Sequence, residues 1–575
     1  MMENIKEIPY GIANFVEVAE QNMYYVDKTM YLPLLEKQPR NLFFIRPRRF
    51  GKSIFLSMLR AYYDIAQKEK FQKRFGNLWI GSRPTPLQGK FQVVYLDFSR
   101  ASGGSGSLEE NFNNYCGMVM DLFGKVYEPY YFPGFAQKME EQPDFVSKLN
   151  YLNLHAAESG MKLYLIIDEY DNFTNIVLNE QGKDIYHALT HASGFYREIF
   201  KKFKGMFERI FMTGVSPVTL DDLTSGFNIG TNYTLNPQFN EMTGFTEKDV
   251  RDMLEYYSTT CPFNHSIDEL IELMKPWYDN YCFAEECYGR SSMYNSNMVL
   301  YFIDNYVHSG GNLPRNMIEE NIRVDYNKLR MLIRKDKEFA HDASVIQTLL
   351  QQGYVTGELK TGFPAENISD PNNFVSLLFY FGMLTISGMH KGETKLTIPN
   401  QVVCEQLFAY ILDTYHENDL TFDRYEKRKL VSGLAYDGKW KPYFEYIAGC
   451  LHRYASQQDK QKGEYFVHGF TLAITAQNPF YRPVSEKDSQ EGYVNLFLHP
   501  LLDIYKDISH SYIIELKYAK GKDSSERIEQ LRRQAIEQAE RYASSESVQK
   551  AIGPTMLHKI IIVYRGMEMV VCEEL

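Results

Sequence analysis

No stretch of this 575-residue chain approaches the roughly 18 clean apolar residues of a membrane-crossing helix. Its opening, "MMENIKEIPYGIANF", has no apolar signal core, so a cytoplasmic location with no membrane partner is expected. The seven cysteines (Cys116, Cys261, Cys282, Cys287, Cys404, Cys450 and Cys572) form no CxxC pair. An odd number without such spacing offers neither a bridge framework nor a thiolate metal site. Positive charge is also short. Lys and Arg total 62 against 73 Asp and Glu, and the net charge of -11 excludes a general nucleic-acid coat while leaving room for a local basic groove. No internal repeat is visible.

What remains is a rich globular composition. With 44% apolar and 23% charged residues, ordered structure is expected throughout, in about three to five domains. Aromatics reach 15%, which suits cores and contact surfaces without naming a ligand.

In the first half, apolar strand candidates alternate with helical patterns. "NLFFI" (41–45), "FQVVYLDF" (91–98), "KLYLIIDEY" (162–170) and "RIFMTGV" (209–215) read as strands. Helical stretches are expected at about 107–129, 144–158 and 194–206, and the loop "ASGGSGSLEE" (101–110) is flexible by composition. This rhythm predicts a mostly parallel sheet with helices on both faces. From "TEKDVRDMLEYY", where Thr246 and Asp249 signal a helix start, a mainly helical stretch follows to about residue 352. Residues 368–400 then predict a helix feeding a hairpin, the outline of a winged module. Such a module either reads DNA or simply packs. The last section predicts helices at 442–454, 463–476 and 524–543 and strands at 492–499, 510–519 and 558–566. The expected division is 1–240, 241–402 and 403–575.

The stretch "FFIRPRRFGKSIFLSML" carries the chemistry. It is half of a phosphate-binding loop: Gly51, Lys52 and Ser53 lie between a strand and a helix, but Arg46 stands where the opening glycine would fall. Backbone amides from Arg48, Arg49, Phe50, Gly51, Lys52, Ser53 and Ile54 would wrap phosphates at the helix N-terminus. Lys52 would reach the β/γ oxygens, and the Ser53 hydroxyl would join Mg²⁺. Pro47 would stiffen the loop. Arg46, Arg48 and Arg49 add charge but are not expected to supply glycine's freedom at positive φ. "LYLIIDEYD" supplies the complementary acids, Asp168 for Mg²⁺ and Glu169 to activate water. Thr213 and Ser216, at the end of the next strand candidate, either sense the γ-phosphate or cap the following turn.

Together "YYVDKTMYLPLL", "FFIRPRRFGKSIFLSML", "VVYLDFS", "LIIDEYDN" and "FMTGVSPV", with the later "WYDNYCF" and "MYNSNMVLYFI", resemble a bacterial AAA-ATPase-like family. In that family this domain is usually joined to a C-terminal PD-(D/E)XK nuclease-like domain. The resemblance implies a P-loop NTPase-like α/β domain, a helical and winged-helix-like middle region, and a C-terminal α/β restriction-endonuclease-like domain. The opening arginine is then a family habit, and Asp27 and Lys28 fall in a family motif whose role is not evident from the residues. For the C-terminal domain it implies a metal site in which Glu515 and Lys517 share a strand face, with Glu464 as a further acid and Gln538 and Tyr542 on the following helix. There "SEKDSQEGYVNLFL" departs from the pattern. Tyr493 replaces an arginine and Asn495 the metal-binding aspartate, and a neutral amide attracts Mg²⁺ poorly. Asp488 or Glu491 would have to compensate.

The expected activity is ATP binding with slow Mg²⁺-dependent hydrolysis, coupled to a degenerate nuclease-like module. An ATP-regulated DNA nuclease and a non-catalytic nucleotide-switched regulator are the alternatives. Beyond ATP, the partners to consider are DNA or RNA, a protein, or a second copy of the chain. No residue identifies itself as an arginine finger.

Overall fold

The computed structural model describes residues 5–101, 107–172, 195–217, 230–319, 345–364, 367, 370–407, 424–454, 464–475, 478–487 and 494–575. Most of the Gly/Ser loop, 102–106, and part of the expected helical stretch, 320–344, lie outside them. The chain divides into two compact units, residues 1–312 with 356–399, and residues 313–355 with 400–575. All seven cysteines are free thiols. Among the described residues no helix is long and apolar enough to cross a membrane.

The first unit is built on a parallel sheet. Its strands are β1 (Asn41–Ile45), β2 (Gln92–Asp97), β3 (Leu163–Asp168), β4 (Arg209–Gly214) and the short β5 (Thr231–Asn232), in the order β2-β3-β4-β1-β5. β1 and β3 are buried throughout, as expected of strands covered on both faces. Helix α1 (Lys52–Tyr63) follows β1 and buries Phe55, Leu56, Met58, Leu59 and Tyr62 against the sheet. Helices α2 (Leu108–Tyr127), α3 (Phe145–Glu158) and α4 (Phe195–Phe203) match the expected helical stretches to within a few residues. Because β4 lies between β1 and β3, its tip stands between the glycine–lysine loop and Asp168.

β2 is an edge strand, and α2 closes that edge. The Tyr127 hydroxyl accepts from Val93 N at 3.0 Å and donates to Asp64 at 2.9 Å, while the Tyr115 hydroxyl accepts from Asp97 N at 2.9 Å. Outward amides that would otherwise template another strand are thus satisfied by side chains.

Three helices follow the sheet: α5 (Glu247–Ser258), α6 (Ile267–Tyr278) and α7 (Ser296–His308). Thr246 and Asp249 form the expected capping box at the start of α5. Asp249 also receives Lys28 at 2.8 Å, and Asp27 accepts from Thr29 N and Trp79 N. The Asp–Lys motif is therefore a staple: Asp27 shapes its own turn and Lys28 ties it to α5.

After the short strand β6 (Val355–Gly357), the helix-and-hairpin element is present as α8 (Pro371–Tyr380), β7 (Thr385–His390) and β8 (Glu393–Thr397). Every residue of α8 from Asn373 to Tyr380 is buried, so this helix packs rather than presenting a reading face. Thr385 accepts from Cys282 N at 2.8 Å and donates to Asn280 O. A Cβ on Gly382 would meet the Pro47 ring within 3 Å, so the hairpin's approach touches the phosphate loop.

The second unit centres on a mixed sheet of β9 (Tyr481–Lys487), β10 (Val494–Pro500), β11 (His510–Ala519), β12 (Met556–Arg565) and β13 (Glu568–Glu574), in the order β13-β12-β11-β10-β9. Only β11 and β12 pair in parallel. They are joined through helix α9 (Ser525–Ala543), whose Leu531, Ala535 and Ala539 pack on Phe497, Ile513, Ile561 and Val563. The helix at Glu464–Thr475 precedes this sheet.

Removing the Tyr127 hydroxyl should show what the edge closure contributes. Tyr127→Phe leaves Val93 N–H without a partner, strips Asp64 Oδ1 of one of its two donors (Ala66 N remains), and should destabilise the first unit by about 1–3 kcal/mol. Thermal unfolding of parent and variant measures it, and equal midpoints would refute the assignment.

Candidate functional site

The phosphate loop leaves β1 at Ile45 and enters α1 at Lys52. Gly51 sits in the left-handed region at φ 78°, and so does Arg49 at φ 65°. That corrects the sequence expectation: an arginine does adopt the positive φ here, while position 46 has no need of it. No side chain caps the start of α1, so its first amides face the loop. Ser296, opening α7, donates to Arg49 O at 3.0 Å, and Gly244 N donates to Phe50 O at 2.9 Å. Two later segments therefore brace the loop from outside. Phe50 itself is a core residue, packed edge-on against Tyr281 and Phe283.

Arg46 does not add charge to the site as expected. Its guanidinium is fully buried, donating to Ile45 O (2.9 Å), Thr234 O (2.8 Å) and Phe239 O (3.1 Å). It lies 4.2 Å from the ring centres of both Phe44 and Phe283. Burial pushes its pKa down to about 9. The opening glycine of the usual loop has been exchanged for a core anchor.

Lys52 is buried, with its ammonium donating to Arg46 O (3.0 Å) and Pro47 O (2.8 Å). Burial lowers its pKa to about 8, opposed by the fields of Asp168, Glu169 and Asp171. Burial raises the Asp168 pKa, while the neighbouring Ser53 hydroxyl, Lys52 and the Glu169 amide, which donates to Asp168 at 3.0 Å, oppose the shift. Glu169 stands at φ 50°, an unusual conformation for a residue with a Cβ. Its pKa is raised by burial and then by Asp171, while Arg48 and Lys52 oppose the shift. Arg48, unlike Arg46, therefore acts on the site. Thr213 is buried at the tip of β4, and its hydroxyl makes no hydrogen bond among the described residues. Ser216 donates its amide to Asp171 at 2.9 Å.

Two contributors escaped the sequence reading. Asp171 accepts from both Val215 N and Ser216 N, locking the end of β3 to the turn after β4. Asp97 lies in register with Asp168 on β2, and its charge raises the Asp168 pKa. Both aspartates were visible in the quoted strand motifs, but only the sheet order shows that they converge.

These residues fit a nucleotide with Mg²⁺. A buried lysine, a helix start without a side-chain cap, a serine whose hydroxyl favours the ionised Asp168, and a buried Thr213 hydroxyl without a partner among the described residues lie about the same loop. Among the described residues no group of three or more His, Cys, Asp or Glu could hold a metal. A phosphate-bound Mg²⁺ needs only one or two protein ligands.

In the second unit, Glu515 and Lys517 do share a face of β11. Both are wholly buried and 3.5 Å apart. Lys517 also hydrogen-bonds Gln538 of α9, and Tyr542 packs on Phe497. Neither Glu515 oxygen accepts a hydrogen bond among the described residues. Burial raises the Glu515 pKa to about 7, with Lys517 and then Arg541 opposing. Asn495 lies in register with Glu515. Glu464 opens its helix, and for it and Asn495 the backbone alone is described. Asp488, Glu491 and Tyr493 lie outside the described residues.

Arg46 gives a direct test of the first site. Restoring the usual glycine with Arg46→Gly should destabilise the domain by about 3 kcal/mol or more, because three carbonyls and the slot between two rings are left unfilled. A thermal midpoint equal to the parent's would overturn the anchor role.

Residues 9–224 match a family model described as a predicted AAA-ATPase, and residues 462–574 match the PD-(D/E)XK nuclease superfamily. An uncharacterised protein in the vnfD 5' region of Azotobacter chroococcum mcd 1 is 26% identical over 288 residues, 49% of each chain. The chain thus spans about half the length of that relative. The Aeropyrum pernix ORC2 protein, in ADPNP–ADP complexes, superposes with a TM-score of 0.31 at 12% identity, over 67% of this chain and 92% of that one. The ORC1 protein of Aeropyrum pernix, in complex with DNA, gives 0.25 at 10% identity with the same coverage. Both superpositions are too loose to carry a ligand or partner across. The chain carries an N-terminal AAA-ATPase-like domain and a C-terminal PD-(D/E)XK nuclease-like domain.

Proposed function

We propose that this pairing of an AAA-ATPase-like with a nuclease-like domain is an ATP-binding protein that hydrolyses ATP slowly with Mg²⁺. The observation that carries this reading is the convergence of Ser53, at the start of α1, with Asp168, at the tip of β3: the hydroxyl favours the ionised carboxylate, and these are the two protein groups a phosphate-bound Mg²⁺ uses. The loop amides and Lys52 bind the phosphates, Ser53 and Asp168 hold the ion, and Glu169 takes the proton of the attacking water. Mg²⁺, when bound, neutralises charge on the phosphate oxygens. The raised pKa of Glu169 makes it a stronger base than a solvated glutamate. In this reading the Thr213 hydroxyl, buried at the tip of β4 and without a partner among the described residues, donates to the terminal phosphate or the water. Pro47 touches the approach to the β7–β8 hairpin, giving the nucleotide state a mechanical route into that element.

A second reading concerns the nuclease-like module. Two unfilled oxygens on a buried Glu515 favour a divalent cation there, held weakly because Asn495 brings no charge. We place cation binding without robust cleavage above an ATP-regulated nuclease.

Lys52→Ala should lose most ATP affinity while Glu169→Gln retains it and slows turnover about 100-fold or more. Isothermal titration and single-turnover hydrolysis separate the two. Equal ATP affinity for parent and Lys52→Ala would sink the binding assignment, and unchanged turnover in Glu169→Gln would remove it as the base.

The Lys52 pKa of about 8 adds a pH signature. Bound phosphates stabilise the ammonium and raise that pKa. Binding then takes up protons above pH 8, and affinity falls as pH rises through about 8. Titrations in buffers of different ionisation enthalpy should detect this uptake, and Lys52→Arg should abolish it.

A further inference from the structure

The net charge of -11 is unevenly spread. Residues 66–90, between α1 and β2, hold six cations and a single acid, Glu69. Arg74 is buried and tied to Glu20 at 2.6 Å, so it serves the fold. The other five, Lys68, Lys70, Lys73, Arg83 and Lys90, are exposed, and none makes an ion pair among the described residues. By contrast, the exposed Lys125 pairs with Glu140, Lys248 with Asp252 and Lys439 with Asp437. A local positive field in an acidic chain is the footprint of a polyanionic partner.

These cations belong to one block. The 3-10 turn Ile65–Lys70 runs directly into the short helix Phe71–Phe75. A Cβ on Gly89 would meet the Lys68 side chain at 2.7 Å, which seats Lys68 beside the residue before Lys90. A Cβ on Gly81 would overlap the carbonyls of Phe75 and Gly76, so the turn from Trp79 to Arg83 folds back onto the helix end. Arg74 first, and then Lys73 and Lys70, hold the Glu20 carboxyl below its usual range, which gathers both lysines about one acid. The block follows the end of α1, which runs about 18 Å from Lys52, so it is clear of the phosphate loop.

Charge alone would describe a solvated face. The independent observation is Trp79, 38% exposed, with the Arg83 guanidinium 4.9 Å from its ring centre. No other large hydrophobic side chain of the block is exposed. A lipid surface takes up several apolar side chains together, whereas a single indole among cations matches phosphates that carry open base faces. Those faces are free in a single strand and stacked away in a duplex. We propose that residues 68–90 form a binding surface for single-stranded nucleic acid. Lys68, Lys70, Lys73 and Lys90 hold backbone phosphates, and Trp79 with Arg83 stacks a base. The surface is independent of the nucleotide and cation readings given above.

The test uses the full chain in EDTA, so that no cation-dependent reaction consumes the probe. A fluorescein-labelled thymidine strand of about 20 nucleotides is followed by anisotropy, with circular dichroism and the thermal midpoint as fold controls. The parent should bind the strand more tightly than the matching duplex and lose at least about tenfold in affinity between roughly 50 and 200 mM salt. The triple variant Lys68→Gln, Lys70→Gln, Lys73→Gln should bind at least about tenfold more weakly, with a flatter salt dependence. Trp79→Ala should weaken binding about fivefold or more and leave the salt dependence unchanged. No binding by the parent, or parent-like affinity in the triple variant, would overturn the proposal. So would binding of phosphatidylserine vesicles or polyglutamate in place of the strand. Parent-like affinity in Trp79→Ala, or a duplex bound as tightly as the strand, would overturn the single-strand assignment.

Discussion

The buried guanidinium of Arg46 is the constraint around which the nucleotide domain is arranged. Its Nη1 and Nη2 groups draw in the end of β1, the segment after β5 at Thr234, and Phe239, while its flat faces fill the space between Phe44 and Phe283. A lysine has neither the fork nor the plane to do this. The same residue turns its carbonyl the other way, to the ammonium of Lys52. Core packing and lysine placement are thus two ends of one residue. Motifs that look separate in the chain, "RPRRFGKS" and "WYDNYCF", are parts of a single packing unit.

The two domains share an electrostatic device. Each buries a lysine among carboxylates, Lys52 near Asp168 and Glu169, and Lys517 beside Glu515. In the first, desolvation drives the lysine toward neutrality. In the second it drives the carboxylate there, to a pKa of about 7. Both sites store an unfavourable burial that a ligand of opposite charge relieves. They differ in supply. The first has its acids on adjacent strands, Asp97 and Asp168. In the second, the strand next to Glu515 offers an amide at Asn495.

Much of this was legible in the sequence, and the exceptions have physical causes. The apolar runs at 41–45, 163–168 and 510–519 declare buried strands because both faces of the sheet are covered. Strands β9 and β13 went unread. They are the two edges of their sheet, and edge strands need no continuous apolar signal; β9 even carries Pro483, which an edge tolerates. Lys52, Ser53, Asp168 and Glu169 could be named because strand–loop–helix spacing places them. The inward turn of Arg46 could not, since its acceptors at Thr234 and Phe239 lie far along the chain. Nor could the left-handed Arg49, whose loop is fixed by Ser296 and Gly244 from later segments.

The tyrosines that close β2 also bear on the order in which the chain is made. β2 leaves the ribosome well before β3, its one neighbouring strand in the sheet among the described residues, so for a time neither of its edges has such a strand to pair with. Helix α2 is the next long element to emerge, and it brings Tyr115 and Tyr127 with it. The outer edge can therefore be sealed by local contacts alone, leaving a nascent strand with one side open. That side faces the place where β3 will arrive, so vectorial synthesis and the final sheet order select the same pairing.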